Sequence, residues 1–325
     1  MTPMDTYTEE TRAWLDRRFE ETSPDGVYMA HQPIYGFDAG HCEPSLLPRY
    51  VRTLEIMRAL AQLRFGSCLD AGAAEGYKAE LARRLFGAEV VATDLSENAC
   101  ERAREIFGLA ARSGDLHALP FEDGEFDVAL CSETLEHVSD FRAALSELLR
   151  VSSTGVVITV PHESEDRVEE NRSSGEPHAH INSFGLDSLD FLEREAGLRV
   201  IARPIVSPLT AAASGLVEGA ERELREPADR HRTWNRLARV NNAIAPITAR
   251  LFGARAESAL LELDRPACRR LRAHRALLFV VLKDKAAWSE RPTRKVTARD
   301  VVGFRVPFHY PGQTGSGLQG APAPG

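Results

Sequence analysis

Between residues 67 and 160 the apolar positions follow two alternating patterns. Short apolar runs, CLDAG, EVVATD, FDVALC and GVVITVP, are separated by amphipathic stretches at about 77–86, 97–107 and 140–150. In the second stretch Ala99, Ala103, Ile106 and Phe107 share one helical face, and in the third Phe141, Ala144, Leu145 and Leu148 do. Ser96 and Ser139 precede these faces, where a hydroxyl accepts from unpaired first-turn amides. Strands alternating with helices predict βαβ units and a parallel sheet covered on both faces. LRVIARPIV (198–206) and RALLFVVLK (275–283) read as two more strands. Before this region, Leu46, Tyr50, Leu54, Met57 and Leu60 mark a helix. Between the last two strands Trp234, Leu237, Val240, Ile244, Ile247 and Leu251 form an apolar stripe, which Pro246 is expected to kink.

Composition narrows the class. The chain has 325 residues, 43% hydrophobic and 27% charged, which excludes a wholly disordered chain, a collagen-like fibre and a disulfide miniprotein. Acidic residues outnumber basic ones, 48 to 40, and the net charge of −8 argues against a general nucleic-acid or membrane-surface binder. No apolar run approaches the roughly 20 residues that span a bilayer. The acidic start, MTPMDTYTEETRAW, lacks the apolar core of a signal peptide. Five scattered cysteines without a CxxC pair predict neither structural zinc nor a disulfide framework and fit a reducing, cytoplasmic setting.

The most informative motif is Leu69-Asp70-Ala71-Gly72-Ala73-Ala74-Glu75-Gly76, between an apolar strand and a helix. Glycines there permit positive φ and close approach of a ligand to the backbone. Ligands of open α/β sheets sit at such strand ends. The second strand ends in Asp94, a carboxylate placed to accept from both ribose hydroxyls of an adenosine-containing cofactor. Asp115, in GDLHALPF, is placed to accept from an adenine amino group. A nicotinamide dehydrogenase is the competing reading, but its GxGxxG fingerprint is replaced here by GxxxG. A module that binds the cofactor without chemistry stays open as a third class.

With LDAGAAEG (69–76), VVATDLSENACERA (90–103), GDLHALPFEDGEFDVALCSETLEHV (114–138) and GVVITVP (155–161) in this order, the chain resembles the class I S-adenosylmethionine-dependent methyltransferases, over roughly residues 60–205 and the strand at 275–283. Ala74 stands where that family has its middle glycine. The resemblance implies a Rossmann-like α/β fold with a seven-stranded, mostly parallel sheet, closed by an antiparallel edge from 198–206 and 275–283. It implies an organisation with an N-terminal cap segment at 1–66, a cofactor-binding core at 67–207, a helical specificity insert at 208–274, a last strand and extension at 275–310, and a disordered tail at 311–325. The implied cofactor is S-adenosyl-L-methionine, bound by Asp70 at its methionine end and by Gly72 and Gly76 along the loop. Asp94 would meet the ribose, and Asp115 and the Leu116 backbone the adenine, with Leu95 and Glu133 as further cofactor-binding residues.

Methyl transfer from a sulfonium is an in-line displacement, largely promoted by positioning, although a hydroxyl acceptor also needs a base or a metal. His137 is the candidate base, with His162 as a proton relay. ExxEH followed by a later histidine is similar to metal-dependent 2′-O-methyltransferases of small RNAs and to catechol O-methyltransferases of the ubiquinone pathway. That likeness implies Mg²⁺ or Mn²⁺ held by Glu133, Glu136, His137 and His180. Of His178 and His180, alternation leads us to expect one facing the site and the other exposed. The expected acceptor is a small or sugar-containing molecule methylated on oxygen, with N-methylation and a nucleic-acid acceptor left open. The aromatic stretch 28–35 is read either as pocket lining or as a packing arm. The arginine-rich, lysine-free insert is read either as a solvated surface or as a reader of carboxylate or phosphate.

Overall fold

The computed structural model describes residues 6–24, 26–36, 42, 43, 45–217 and 257–306. The elements are α1 (Thr6–Arg18), α2 (Leu46–Leu60), β1 (Ser67–Ala71), α3 (Tyr77–Phe86), β2 (Glu89–Asp94), α4 (Glu97–Phe107), β3 (Ala110–Ser113), β4 (Phe126–Ser132), α5 (Phe141–Val151), β5 (Ser152–Pro161), α6 (Glu165–Ser174), α7 (Asp190–Ala196), β6 (Arg199–Ile205), α8 (Pro208–Val217), the helical run 257–271 (α9), β7 (Ala276–Leu282) and α10 (Ala298–Val302). Seven strands form one sheet in the order β3-β2-β1-β4-β5-β7-β6. Strands β1 to β5 pair in parallel. β7 runs antiparallel to both β5 and β6, and β6 lies outermost. The two strands expected to close the sheet do so together.

The apolar pattern explains the layers. β7 is buried along its whole length, and nine of the ten positions of β5 are buried, as befits strands covered on both faces. One core cluster gathers α2, α3, α4 and the N- and C-terminal segments on one face; the other gathers α5, α7 and Phe184 on the opposite face. Helix ends follow local chemistry. Ser96 Oγ accepts from Ala99 N–H to start α4, which Gly108 ends in the left-handed conformation. At α5 the expected cap is displaced by one residue: Asp140, not Ser139, accepts from the amides of Arg142 and Ala143. A carboxylate reaches both donors at once, and Ser139 turns toward His117 Nε2 instead, at 3.4 Å.

The order of strands places the site. β1 and β4 are central neighbours, so the loops after them meet, with β2 and β3 on one side and β5 on the other. The N-terminal segment lies against the helices of this end. Asn98 Nδ2 donates to the Asp16 carbonyl at 3.0 Å, and Arg102 lies over the Tyr28 ring at 4.8 Å. The C-terminal segment braces the same arm: Val306 N–H donates to the Ile34 carbonyl at 2.7 Å, and Tyr77 OH donates to the Val301 carbonyl at 3.2 Å. The apolar stripe 234–251 and the tail 311–325 lie outside the described residues. The described flanks of the insert, α8 and α9, include the exposed side chains Leu209, Leu263 and Leu271. Among the described residues no helix is long and apolar enough to cross a membrane. The five cysteines are free and buried.

Candidate active site

The chain leaves β1 at Ala71 and turns sharply under the end of β2. The amides of Gly72 and Ala73 donate to the Thr93 carbonyl at 2.8 and 3.0 Å, and Ala74 N–H donates to Asp94 Oδ2 at 2.8 Å. Asp94 Oδ1 accepts from Ser96 N–H at 3.0 Å. Burial pushes the Asp94 carboxyl up, and the amides of Ser96, Ala74 and Leu95 draw it part of the way back. Asp94 thus shapes the loop from within as well as facing the pocket. Gly72 has φ +77°, and a Cβ there would lie 2.2 Å from Thr134 Oγ1 in the loop after β4. This glycine is therefore demanded by the approach of two loops. Ala74 adopts φ +48° despite its methyl group. The departure from the family pattern costs local strain but leaves the turn formed.

A pocket opens over this loop. Gly72, Asp94, Leu95, Asp115, Leu116, Glu133 and His137 all line it. Asp115 is held by its neighbour. His117 donates from its backbone N–H at 2.9 Å and from Nδ1 at 2.7 Å to Asp115 Oδ1, while His117 Nε2 accepts from Asp140 N–H at 3.2 Å. That network sets the imidazole tautomer. Burial pushes Asp115 up, but the two His117 bonds outweigh it and hold the carboxyl below its ordinary value.

Of the predicted site residues, Asp70, Gly76, Glu136, His162 and His180 do not line the pocket. Gly76 caps α3 with φ +79°, where a Cβ would lie 2.6 Å from Leu109 Cδ1. Asp70 lies behind the loop, fully buried, with neither oxygen hydrogen-bonded in good geometry. Burial raises its carboxyl to about 6, and Lys78 draws it down. His162 is exposed, and its Nδ1 donates to the Phe184 carbonyl at 2.8 Å. The structure therefore keeps the expected proton relay out of the pocket, because β5 has already passed into the next loop at this point.

The four expected metal ligands divide. Glu136, His137 and His180 each offer a ligand atom within 4.8 Å of the others. Glu133 stands outside this trio, at φ +56°, paired with Arg52 Nε at 3.0 Å. Glu136 is 1% exposed and neither carboxylate oxygen has a hydrogen-bond partner. Burial, with Glu133 nearby, pushes it well above the usual carboxylate range. His137 Nδ1 donates to the Ala179 carbonyl at 3.1 Å, so its Nε2 carries the lone pair, 3.8 Å from Glu136 Oε1. Burial, His178 and His180 hold His137 well below its ordinary pKa. His180 Nδ1 lies 2.8 Å from Glu163 Oε2. The expectation that one of His178 and His180 is exposed does not hold. His178 lines the pocket and stacks on His137 at 3.7 Å, and both are half-buried. The segment is not extended, and His178 has φ +59°, so strand alternation does not apply.

Several residues of the site carried no sequence signal. Tyr7, Thr11, Leu15 and Phe19 of the N-terminal segment line the pocket, as do Arg49 and Arg52 of α2 and Lys78 of α3. The aromatic stretch proves to be both lining and packing arm. Glu75, inside the glycine loop, is fully buried and accepts from Tyr28 OH at 2.7 Å and from His31 N–H. Gln32 Oε1 accepts from Tyr77 N–H at 2.9 Å. The loop is thereby clamped to the segment above it. Among the described residues of 208–274, none lines this pocket.

Known proteins resemble parts of this chain. Residues 69–160 match the methyltransferase domain family. The malonyl-[acyl-carrier protein] O-methyltransferase of Erwinia billingiae is 33% identical over 120 residues, 36% of this chain and 47% of that protein. The chloroplastic tocopherol O-methyltransferase of Arabidopsis thaliana is 26% identical over 190 residues, 51% of this chain and 54% of that protein. The chain thus spans about half the length of the curated relatives it matches. Among solved structures, the geranyl diphosphate C-methyltransferase of Streptomyces coelicolor A3(2) shares the fold with a TM-score of 0.50, at 19% identity, covering 87% of this chain and 100% of that one. Residues 69–160, with the glycine loop and the acidic strand ends, are thus similar to the methyltransferase domain family, and the sheet shares the fold of solved methyltransferases.

Proposed function

We propose that this chain transfers a methyl group from S-adenosylmethionine to an oxygen of a small acceptor held beneath the N-terminal segment. The carrying observation is that one pocket is lined by the loop residues Gly72 and Ala74, the acids Asp94 and Asp115, and the groups Glu133 and His137 after β4. The residues fit the cofactor. Asp70, fully buried behind the glycine loop and drawn to Lys78, would set the loop beneath the methionine end rather than touch it. Asp94 would accept from ribose hydroxyls and Asp115 from the adenine amino group. Bound S-adenosylmethionine supplies an electrophilic methyl group on a sulfonium. His137, fixed by Ala179, would take the acceptor's proton at Nε2. Methylation on oxygen is favoured by the O-methyltransferases among the relatives.

The trio Glu136, His137 and His180 favours a second reading, a divalent cation. Unpartnered Glu136 oxygens fit such an ion, and a neutral imidazole suits a ligand better than a base. Mg²⁺ or Mn²⁺ there would lower the pKa of an acceptor hydroxyl. One set of experiments tests both readings. S-adenosylhomocysteine should raise the melting temperature of the wild type, and Asp94→Ala should weaken its binding by about tenfold or more. Methyl transfer from labelled S-adenosylmethionine to a panel of small hydroxyl and carboxyl compounds reads catalysis. Binding without turnover identifies a non-catalytic module, and no binding refutes the proposal. Manganese alone should shift the melting temperature in the wild type but not in Glu136→Gln if the cation reading holds.

A further inference from the structure

A second cavity shares no lining residue with the candidate active site. α2 contributes to both, with Arg49 and Arg52 at the first and Glu55 and Arg58 at the second, between one and two turns further along. β6, α9 and the segment 290–296 form the other walls. The chain as a whole carries a net charge of −8, yet six of the thirteen residues lining this cavity are cations and two are carboxylates. Two of the cations are neutralised. Glu55 pairs with Arg58 at 3.1 Å and with Arg265, and Glu262 pairs with Arg58 at 2.6 Å. Glu290 is exposed, accepts from Trp288 Nε1 at 3.1 Å and lies 3.9 Å from Arg199. Arg203, Arg269, Arg294 and Lys295 form no ion pair with a carboxylate among the described residues.

Arg203 is set in place rather than free to turn away. Its Nη1 and Nη2 both donate to Gln62 Oε1 at 3.1 Å, and its guanidinium lies over the Trp288 ring at 5.5 Å. A neutral amide orients this cation without cancelling its charge. Burial comes first among the effects that hold Arg203 below its ordinary value; Arg265 and Arg269 add to it, and Glu55 and Glu290 oppose it. Both cations therefore lie near enough to Arg203 to act on it. Arg294 is likewise tied, its Nη1 donating to the Leu85 carbonyl at 2.8 Å. Arg269 and Lys295 are exposed. An arginine ordered in advance loses less side-chain freedom when it receives an anion.

We propose that this cavity is a second ligand site, for a small phosphorylated molecule, with Arg203 and Arg269 receiving the phosphoryl oxygens. The surplus of cations exceeds what one carboxylate offsets and suits a phosphoryl group, which carries about two negative charges near pH 7. The planar fork of arginine matches two of its oxygens. Pro204, Pro292 and Val296 supply apolar wall for the organic part of the ligand. Arg203, half-buried in the cavity wall, is reached by a small ligand more readily than by the surface of an acidic protein. The site stands independently of the chemistry at the first pocket.

The test is calorimetric titration of the full chain at about 0.15 M ionic strength, which screens weak attraction between exposed charges. Inorganic phosphate and inorganic pyrophosphate are the probes, with a hexaglutamate peptide beside them. At least one phosphoryl probe should bind, and the tighter of the two distinguishes a single phosphoryl group from a pair. Arg203→Gln and Arg269→Gln should each weaken that binding by about tenfold or more. Arg52→Gln, at the other pocket, should leave it unchanged. Arg269 is exposed, so its variant decides the matter should Arg203→Gln fail to fold; an unchanged melting temperature without ligand shows that a variant folds. The proposal is overturned if neither probe binds or if either folded variant binds as the wild type does. Loss of binding in Arg52→Gln overturns it too, since the anion would then sit in the first pocket. Hexaglutamate binding in place of the phosphoryl probes would assign the surface to an acidic protein and likewise overturn it.

Discussion

Replacing Asp70 by asparagine isolates the cost of a carboxylate buried beneath the glycine loop. Asp70 is 0% exposed. Burial raises its carboxyl from 3.8 to about 6; Lys78 and the Ala79 amide draw it down, and Asp94 pushes it up. A carboxyl with a higher pKa in the fold than in the unfolded chain releases its proton on unfolding between the two values. Its stabilising effect is complete below the unfolded value and is lost as pH rises through the folded one. A rise from 3.8 to about 6 corresponds to about 3 kcal/mol in all. Across pH 5 to 8 about 1.4 kcal/mol of this is lost, because at pH 5 the folded carboxyl is about nine-tenths protonated and the unfolded one mostly ionised. Urea unfolding of the wild type and of Asp70→Asn across that range reads the effect, and the difference between the two curves cancels the other titrating groups. The variant should gain about 1.4 kcal/mol on the wild type from pH 5 to 8, most of it below pH 7. Parallel curves would refute a poorly compensated buried carboxylate at this position.

Two further perturbations probe the loop itself. Glu75→Ala removes the acceptor of Tyr28 OH and His31 N–H, leaving buried donors unpaired at a cost of about 2–4 kcal/mol. Hydrogen exchange should accelerate in residues 28–36 before it does in the sheet; uniform exchange across the chain would contradict the clamp. Gly72→Ala places a methyl group 2.2 Å from Thr134 Oγ1 at a φ of +77°. It should lower stability by about 2–4 kcal/mol and abolish S-adenosylhomocysteine binding, and Thr134→Gly should restore part of both losses. A fully stable, binding-competent Gly72→Ala would show that the two loops do not meet as described.

Local order along the chain determined the framework. Strands β1, β2, β4, β5 and β7 were legible as apolar runs bounded by polar turns, because strands buried on both faces need little polar alternation; the edge strand β6, mostly half-buried, was legible as a run of Val200, Ile201 and Ile205. Helices α4 and α5 were legible from their apolar faces, and α3 from its place between two apolar runs. β3 was not legible: it has four residues, none of them buried, so it carries no apolar run. Asp94 and Asp115 were placed by the strand–loop–helix order, which puts particular residues at and just beyond each strand end. Tertiary structure decided which distant residues complete the site. Tyr28 meets Glu75 across 47 positions, and α2 brings Arg52 to Glu133. Neither contact has a local signature, because a polar side chain reads the same in sequence whether water or a buried partner satisfies it. Glu133 thus turns from the expected metal ligands to an arginine, His178 enters the pocket and His162 stays outside it. A strand's period predicts which way its side chains point, but beyond the strand's end only the packing of neighbouring loops sets their direction.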